Sequence, residues 1–202
     1  MSTATTSRSS ELGSAPRPVA LAGLRRSLPV FLAPMSGITD LPFRRIAARF
    51  GCDVVVTEMV ASGELTTGGV DATVRTAGDG LDLHVVQIAG REPEATARAA
   101  AMAVDAGADV IDLNMGCPAK RVTQGWSGSA LMRDLDLAIA IVRAVRAALP
   151  GAVPLTLKMR LGWSRETMNA PELARRAVDE GVELVTVHGR TRDQFYEGTA
   201  DW

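Results

Sequence analysis

Cysteine is scarce in this sequence. There are two, Cys52 and Cys117, far apart and without CxxC spacing. A disulfide framework is excluded by that count, and a zinc site is disfavoured. No run of about 18 apolar residues occurs, so no membrane span is expected. The N-terminus has no apolar signal core. Neither sign of charge prevails, with 22 Lys plus Arg against 23 Asp plus Glu. No global basic field therefore advertises nucleic acid, and any such binding must be local or lie outside this chain. No G-x-G-x-x-G follows the first apolar run, so a dinucleotide-binding fold lacks its fingerprint. There is neither a metal-ligand cluster nor a Ser/His/Asp pattern. A cytoplasmic, reducing location is the default expectation, with no membrane and no metal among the partners.

What is present is an ordinary globular composition. Of 202 residues, 47% are hydrophobic and 22% charged, enough for one domain with a real core. Residues 1–28 are expected to be a disordered or irregular extension. Met1 to Pro18 is rich in Ser, Thr, Ala and Pro without a period, and Leu21 to Leu28 reads as a short edge segment. From Pro29 apolar runs alternate with helical segments. Strands are expected at Val30–Ala33, Asp53–Met59, His84–Ala89, Val110–Met115, Pro154–Arg160 and Leu184–His188. Asp40 or Thr39 and Asp134 are helix caps, while Gly51, Gly107 and Gly181 are helix stops. Segment 61–80 is not assigned beyond a short helix, and Lys120 to Arg133 reads as a long polar loop.

This alternation means βαβ units and a parallel sheet. An open doubly wound sheet and a (β/α)8 barrel both fit it. The polar residues favour the barrel. Alternate residues of a strand share a face, which groups Val56 with Glu58, Val85 with Gln87, and Asp112 with Asn114. The same rule groups Thr156, Lys158 and Arg160, and Thr186 with His188. The other face is mostly Val, Ile, Leu or Met. Polar residues collect toward the carboxyl ends of the strands, where barrel active sites lie.

Asp109 to Pro118 concentrates the chemistry. A buried strand ends at Gly116, which lets the chain turn, and Pro118 stiffens the segment just past Cys117. The cysteine is held at a strand end beside the amide of Asn114. A buried free cysteine is more often packing than chemistry, so its neighbours decide. Lysine is almost never buried unpaired, and Lys158 lies in strand core. A fixed cation there suits a phosphate, an enolate-like oxygen or an electron-rich ring. Gln87 offers a donor and an acceptor to the edge of a planar heterocycle. An ordinary thiol, with a pKa of about 8.5, is mostly protonated at pH 7 and can donate a proton.

Six segments occur in a telling order. They are Ala33-Pro34-Met35-Ser36-Gly37-Ile38-Thr39-Asp40-Leu41-Pro42-Phe43-Arg44, Thr57-Glu58-Met59, Val86-Gln87-Ile88-Ala89-Gly90, Asp112-Leu113-Asn114-Met115-Gly116-Cys117-Pro118-Ala119-Lys120, Lys158-Met159-Arg160-Leu161-Gly162-Trp163 and His188-Gly189-Arg190-Thr191-Arg192. Together they resemble the tRNA-dihydrouridine synthases, with the bacterial B-type branch the nearest likeness. The resemblance implies an FMN-dependent oxidoreductase that reduces the C5=C6 bond of uridine in tRNA, with NADPH as reductant. It implies that Cys117 is the catalytic proton donor to C5. Pro34, Met35, Ser36, Gln87, Lys158 and His188 match cofactor-binding positions, and Asn114 a substrate-binding one. Ser36 stands where an alanine is expected, a small change. The full-length protein is expected to be monomeric.

A (β/α)8 barrel typically needs about 250 residues, and six strands are legible here. The expectation is an incomplete TIM barrel over 29–202, with about six of eight units and without the family's C-terminal helical domain. Such a chain is expected to be inactive alone. Two alternatives are a flavin-dependent barrel reductase of a free pyrimidine and an inactive fragment.

Overall fold

The computed structural model describes residues 19–202. The expected irregular chain before residue 19 lies outside the described residues. Within them, the stretch leading to residue 28 is more regular than its sequence suggests. Strand β1 (Val19–Leu21) pairs antiparallel with β2 (Leu24–Arg26). The loop residues Ala22 and Gly23 sit at φ +45° and +85°, the left-handed pair that a two-residue hairpin requires. Ala-Gly is a weak turn signal and three-residue strands carry no period, so pattern alone does not find this hairpin.

The barrel wall follows. Strand β3 (Phe31–Leu32) leads to α1 (Leu41–Arg49), capped by Asp40, whose carboxylate accepts from the Phe43 N–H at 2.9 Å. The single strand expected over 53–59 is two short pieces, β4 (Val54–Val55) and β5 (Val60–Ala61). They are two ends of one stave, because Val56 bridges Val85 in parallel between them. Segment 61–80 holds α2 (Ser62–Thr66) and α3 (Val70–Thr76). Strand β6 (Val85–Ala89), helix α4 (Pro93–Asp105) and strand β7 (Val110–Met115) come next. The expected polar loop 120–133 contains α5 (Lys120–Thr123) and a 3-10 turn, Gly128–Arg133. Helix α6 (Leu135–Ala148) starts at Asp134, which accepts from the Leu137 N–H at 3.0 Å. Strand β8 (Leu155–Arg160), helix α7 (Ala170–Asp179) and strand β9 (Leu184–His188) complete the described elements.

All wall strands are parallel, and they neighbour each other in chain order: β3 beside β4, then β5-β6-β7-β8-β9. With β4 and β5 counted as one stave, this is a six-stave part of a (β/α)8 barrel. Strands β3 and β9 each have one hydrogen-bonded neighbour, so the wall is open between them, whereas a closed barrel has no edge.

The two faces separate as alternation requires. Val86, Ile88, Ile111, Leu113, Met115, Leu155, Leu157 and Met159 point outward into one core with Ala99, Ala100 and Ala103 of α4, Ile141, Val142 and Val145 of α6, and Leu173 and Ala177 of α7. The small alanines let α4 sit close to the sheet, and each fully buried Leu, Ile or Met contributes roughly 1.5–3 kcal/mol. A second, inward core joins Val54, Val56, Val85 and Val110 to Leu21 of the hairpin. The hairpin therefore packs against the floor of the barrel. Above this apolar floor the inward positions become polar.

Candidate active site

Strand register stacks the inward polar residues in rows. Gln87, Asp112 and Thr156 lie side by side, Asn114 is beside Lys158 with Thr186 next to it, and Arg160 is level with His188 at the rim. This follows from period two and parallel pairing, and needs no special backbone.

The rows form a directional relay. Asp112, a pure acceptor when ionised, takes the Thr156 hydroxyl at 2.5 Å and the Gln87 Nε2–H at 2.6 Å. That turns the Gln87 carbonyl toward Asn114, whose Nδ2–H donates to it at 2.7 Å. The Asn114 Oδ1 is thereby aimed at the turn beyond its own strand. It accepts the Gly116 and Cys117 N–H groups at 3.1 and 2.9 Å. Gln87 is 1% exposed and Asn114 9%, so this network works in a low-dielectric interior, where satisfied hydrogen bonds hold firmly.

The Cys117 backbone is held from other sides as well. Its carbonyl accepts both the N–H and the hydroxyl of Ser129, at 3.1 and 2.9 Å. Gly128 lies at φ +61°, and a Cβ there would come within 2.9 Å of the Cys117 carbonyl, so glycine is needed. The Arg160 Nε–H donates to the Gly116 carbonyl at 2.9 Å. The half-buried Cys117 thiol, by contrast, makes no hydrogen bond among the described residues. The backbone of the turn is tied on several sides, and its side chain is not.

Lys158 and Asp112 line one mostly apolar cavity with Pro34, Thr156, Leu184 and Thr186. Burial lowers the Lys158 pKa against the pull of Asp112, and raises that of Asp112 against its hydrogen bonds from Thr156 and Gln87 and the Lys158 charge. Both charges are thus poorly solvated. Among the described residues the Lys158 ammonium has no carboxylate within 4 Å and no hydrogen bond. Met35 and Ser36 stand on the exposed loop after β3, outside this network, while Pro34 reaches the cavity. That loop is tied to the second stave by the Gly37 N–H, which donates to the Glu58 carboxylate. Among the described residues no three His, Cys, Asp or Glu side chains converge to hold a metal ion.

The family model described as dihydrouridine synthase (Dus) matches residues 31–202, which is the whole barrel wall. The chain belongs to the dihydrouridine synthase family. It is 57% identical over 173 residues to a probable tRNA-dihydrouridine synthase of Rhizobium leguminosarum bv. phaseoli, covering 86% of this chain and 54% of that protein. A probable tRNA-dihydrouridine synthase of Rhodobacter capsulatus is 52% identical over 187 residues, 91% of this chain and 57% of its own length. The tRNA-dihydrouridine synthase B of Xanthomonas campestris pv. campestris is 50% identical over 174 residues, 86% of this chain and 52% of its own. The chain thus spans about half the length of the curated relatives it matches. Among solved structures, a mutant of an active chimera of (S)-mandelate dehydrogenase shares the fold, with a TM-score of 0.50 at 17% identity over 91% of this chain and 60% of that one.

In this chain the structure brings Gln87, Asn114 and Cys117 into one network, sets Lys158 and Pro34 around one cavity, and puts His188 at the rim. Sequence reasoning gave no role to Asp112 or Arg160. Asp112 terminates the relay, accepting from both Gln87 and Thr156. Arg160 is 2% exposed, and besides Gly116 its guanidinium donates to the carbonyls of Thr191 and Phe195 at 2.9 and 2.8 Å. It joins the Cys117 turn to the loop after β9. The signal was available, since both residues occupy inward positions of buried strands where a charge needs a partner.

Burial and the surrounding charges of Arg160, Lys158 and Arg190 push the His188 pKa from 6.5 down to about 4. The ring is neutral at pH 7, and its Nε2 lies 3.2 Å from the Arg190 guanidinium, from which it accepts. Between those pH values the unfolded chain binds a proton that the folded one does not. Folding stability must therefore fall as pH drops from about 6.5 toward 4, because protons favour the unfolded side. His188→Asn is expected to flatten that segment of a melting-temperature profile against pH. An unchanged acid slope in the variant would assign the titration elsewhere.

Proposed function

We propose that this member of the dihydrouridine synthase family reduces the C5=C6 bond of uridine in tRNA to 5,6-dihydrouridine, with FMN as bound cofactor and NADPH as reductant. The observation that carries this is the turn at Cys117: a backbone held by Asn114, Ser129 and Arg160 around a thiol with no partner of its own. Saturating a C=C bond needs two electrons and two protons, that is, one hydride and one proton. Reduced FMN, when bound, would supply the hydride for C6. The protein would then supply the proton for C5, and Cys117 would be that acid.

The cavity residues suit a flavin. Lys158 is a poorly solvated cation without a partner beside an apolar lining, which favours an electron-rich group there. Among the described residues the Nδ1 of neutral His188 makes no hydrogen bond, which leaves it for a polar group of the cofactor. Gln87 retains one N–H after serving Asp112, and Pro34, Met35 and Ser36 form the loop that would border the ring. Asn114 would bind the base through the N–H that now rests on the Met59 sulfur at 3.6 Å, a weak acceptor that a uracil carbonyl can replace. On this reading residues 29–202 are the flavin-binding part, and the enzyme is a cytoplasmic monomer.

The test is made on the full-length protein. Purified enzyme should carry a flavin absorbance spectrum and, with NADPH and unmodified tRNA, yield dihydrouridine on nucleoside mass analysis. Absence of flavin, or turnover of free uracil with none in tRNA, would overturn the proposal.

A further inference from the structure

The loops around the mouth hold a group that the reaction above does not use. From Leu113 to Arg133 there is no Asp or Glu, while Lys120, Arg121 and Arg133 are present. Arg133 ends the 3-10 turn packed behind Cys117. Its guanidinium carbon lies 5.3 Å from the ring centre of Trp126 and 4.9 Å from that of Trp163. Trp163 also receives Arg192, at 4.6 Å. Three loops are thereby joined, those after β7, β8 and β9.

We propose that Arg133, steadied by these two indoles, grips a phosphate of the RNA backbone. The inference rests on the reading of an RNA substrate given above. A guanidinium held over aromatic faces is attracted by the rings without spending its N–H groups, which stay available for hydrogen bonds. Among the described residues Arg133 makes no hydrogen bond and no ion pair within 4 Å. Of the carboxylates near it, Glu166 on the Trp163 loop is exposed and turned to Ser164, and three others are engaged. Asp134 caps α6, Asp136 pairs with Arg176 at 2.6 Å and Asp193 with Arg192 at 3.4 Å. A planar donor fork with its edge free matches two phosphate oxygens.

A polymer fits this place better than a free nucleotide. Arg133 is exposed and Trp126 is 49% exposed. An open rim cannot enclose a small ligand, but it can add one contact to a chain already anchored at the mouth. A half-bare indole beside a fixed cation also offers a base something to stack on.

Arg133→Met and Arg133→Lys in the full-length enzyme test this by tRNA affinity across a salt series, with flavin content as the fold control. Arg133→Met is expected to weaken tRNA binding about 10-fold, and to make the slope of log affinity against log salt shallower by about one. Arg133→Lys should recover the slope but only part of the affinity, since it keeps the charge and loses the fork. Unchanged affinity in Arg133→Met would overturn the proposal. So would weaker affinity with an unchanged salt slope, which marks lost packing rather than a lost phosphate. A wild type that neither binds tRNA nor forms dihydrouridine defeats the reading of function instead. An active wild type with an indifferent Arg133→Met defeats the phosphate contact alone.

Discussion

Cys117→Ala is expected to bind flavin and take electrons from NADPH as the wild type does, yet to form dihydrouridine about 10²–10⁴-fold more slowly. That range is the usual contribution of a positioned proton donor. The separation of the two half-reactions follows from the geometry. The backbone of residue 117 is fixed by its own N–H to Asn114 and its carbonyl to Ser129, and an alanine keeps both bonds. The side chain has no partner among the described residues to lose. The substitution therefore removes an acid and little else. Cys52 supplies the control. It is partly buried near the start of β4 and lines a cleft together with Asp53, Leu83 and the hairpin residues Leu24 and Arg26, at the end of the barrel away from the mouth. Cys52→Ala should leave turnover nearly intact. Single-turnover rates of uridine reduction, read beside stopped-flow flavin bleaching by NADPH, make the measurement. Wild-type dihydrouridine yield in Cys117→Ala would remove the thiol from the mechanism.

Lys158→Met should lose flavin retention by roughly 10–100-fold, the value of one charged hydrogen bond of about 1.5–3 kcal/mol, and should also slow flavin reduction. Methionine keeps the length and the apolar contacts of the lysine stem, so the charge is the difference. That charge is already costly to the protein. Burial holds the Lys158 pKa below its ordinary value even though Asp112 is near. A cation kept in such a place without a bonded partner is stabilised when an electron-rich group arrives. Asp112 acts in the opposite sense, since its own carboxylate is raised by burial and already spends both oxygens on Thr156 and Gln87. Equilibrium dialysis of FMN and the rate of flavin bleaching under NADPH distinguish the two effects. Flavin content and reduction rate both equal to wild type would count against any cofactor role for Lys158.

Much of the architecture is legible in the sequence. Alternation in β7 assigned Ile111, Leu113 and Met115 outward and Asp112 and Asn114 inward, and the two faces are so divided. The caps at Asp40 and Asp134 were visible because a carboxylate three residues before a free N–H is a local relation. The hairpin at 19–26 was not, because its stability comes from Leu21 reaching a floor built of Val54, Val85 and Val110. The break between β4 and β5 was hidden for a similar reason. Thr57 has strand-forming sequence around it, but its hydroxyl is drawn off to accept the Gln87 N–H at 3.0 Å.

The site divides along the same line. Pleated backbone sends alternate side chains to opposite faces wherever a strand forms, so the sequence by itself determined which residues look inward and that the polar ones gather at one end. Family membership was equally written in the order of its motifs. Partnership is another matter, because it depends on register between strands and on loops that meet only after folding. Arg160 finds the Gly116 carbonyl 44 residues away and the Thr191 carbonyl 31 residues away, and Arg133 finds the indole of Trp163. The relay has a direction because the Gly116 and Cys117 N–H groups can only donate, and the Asn114 and Gln87 amides must turn accordingly. Tertiary structure alone decided those pairings, since a hydrogen bond or a stacked ring needs its partner within a few ångströms, a condition that no local pattern encodes.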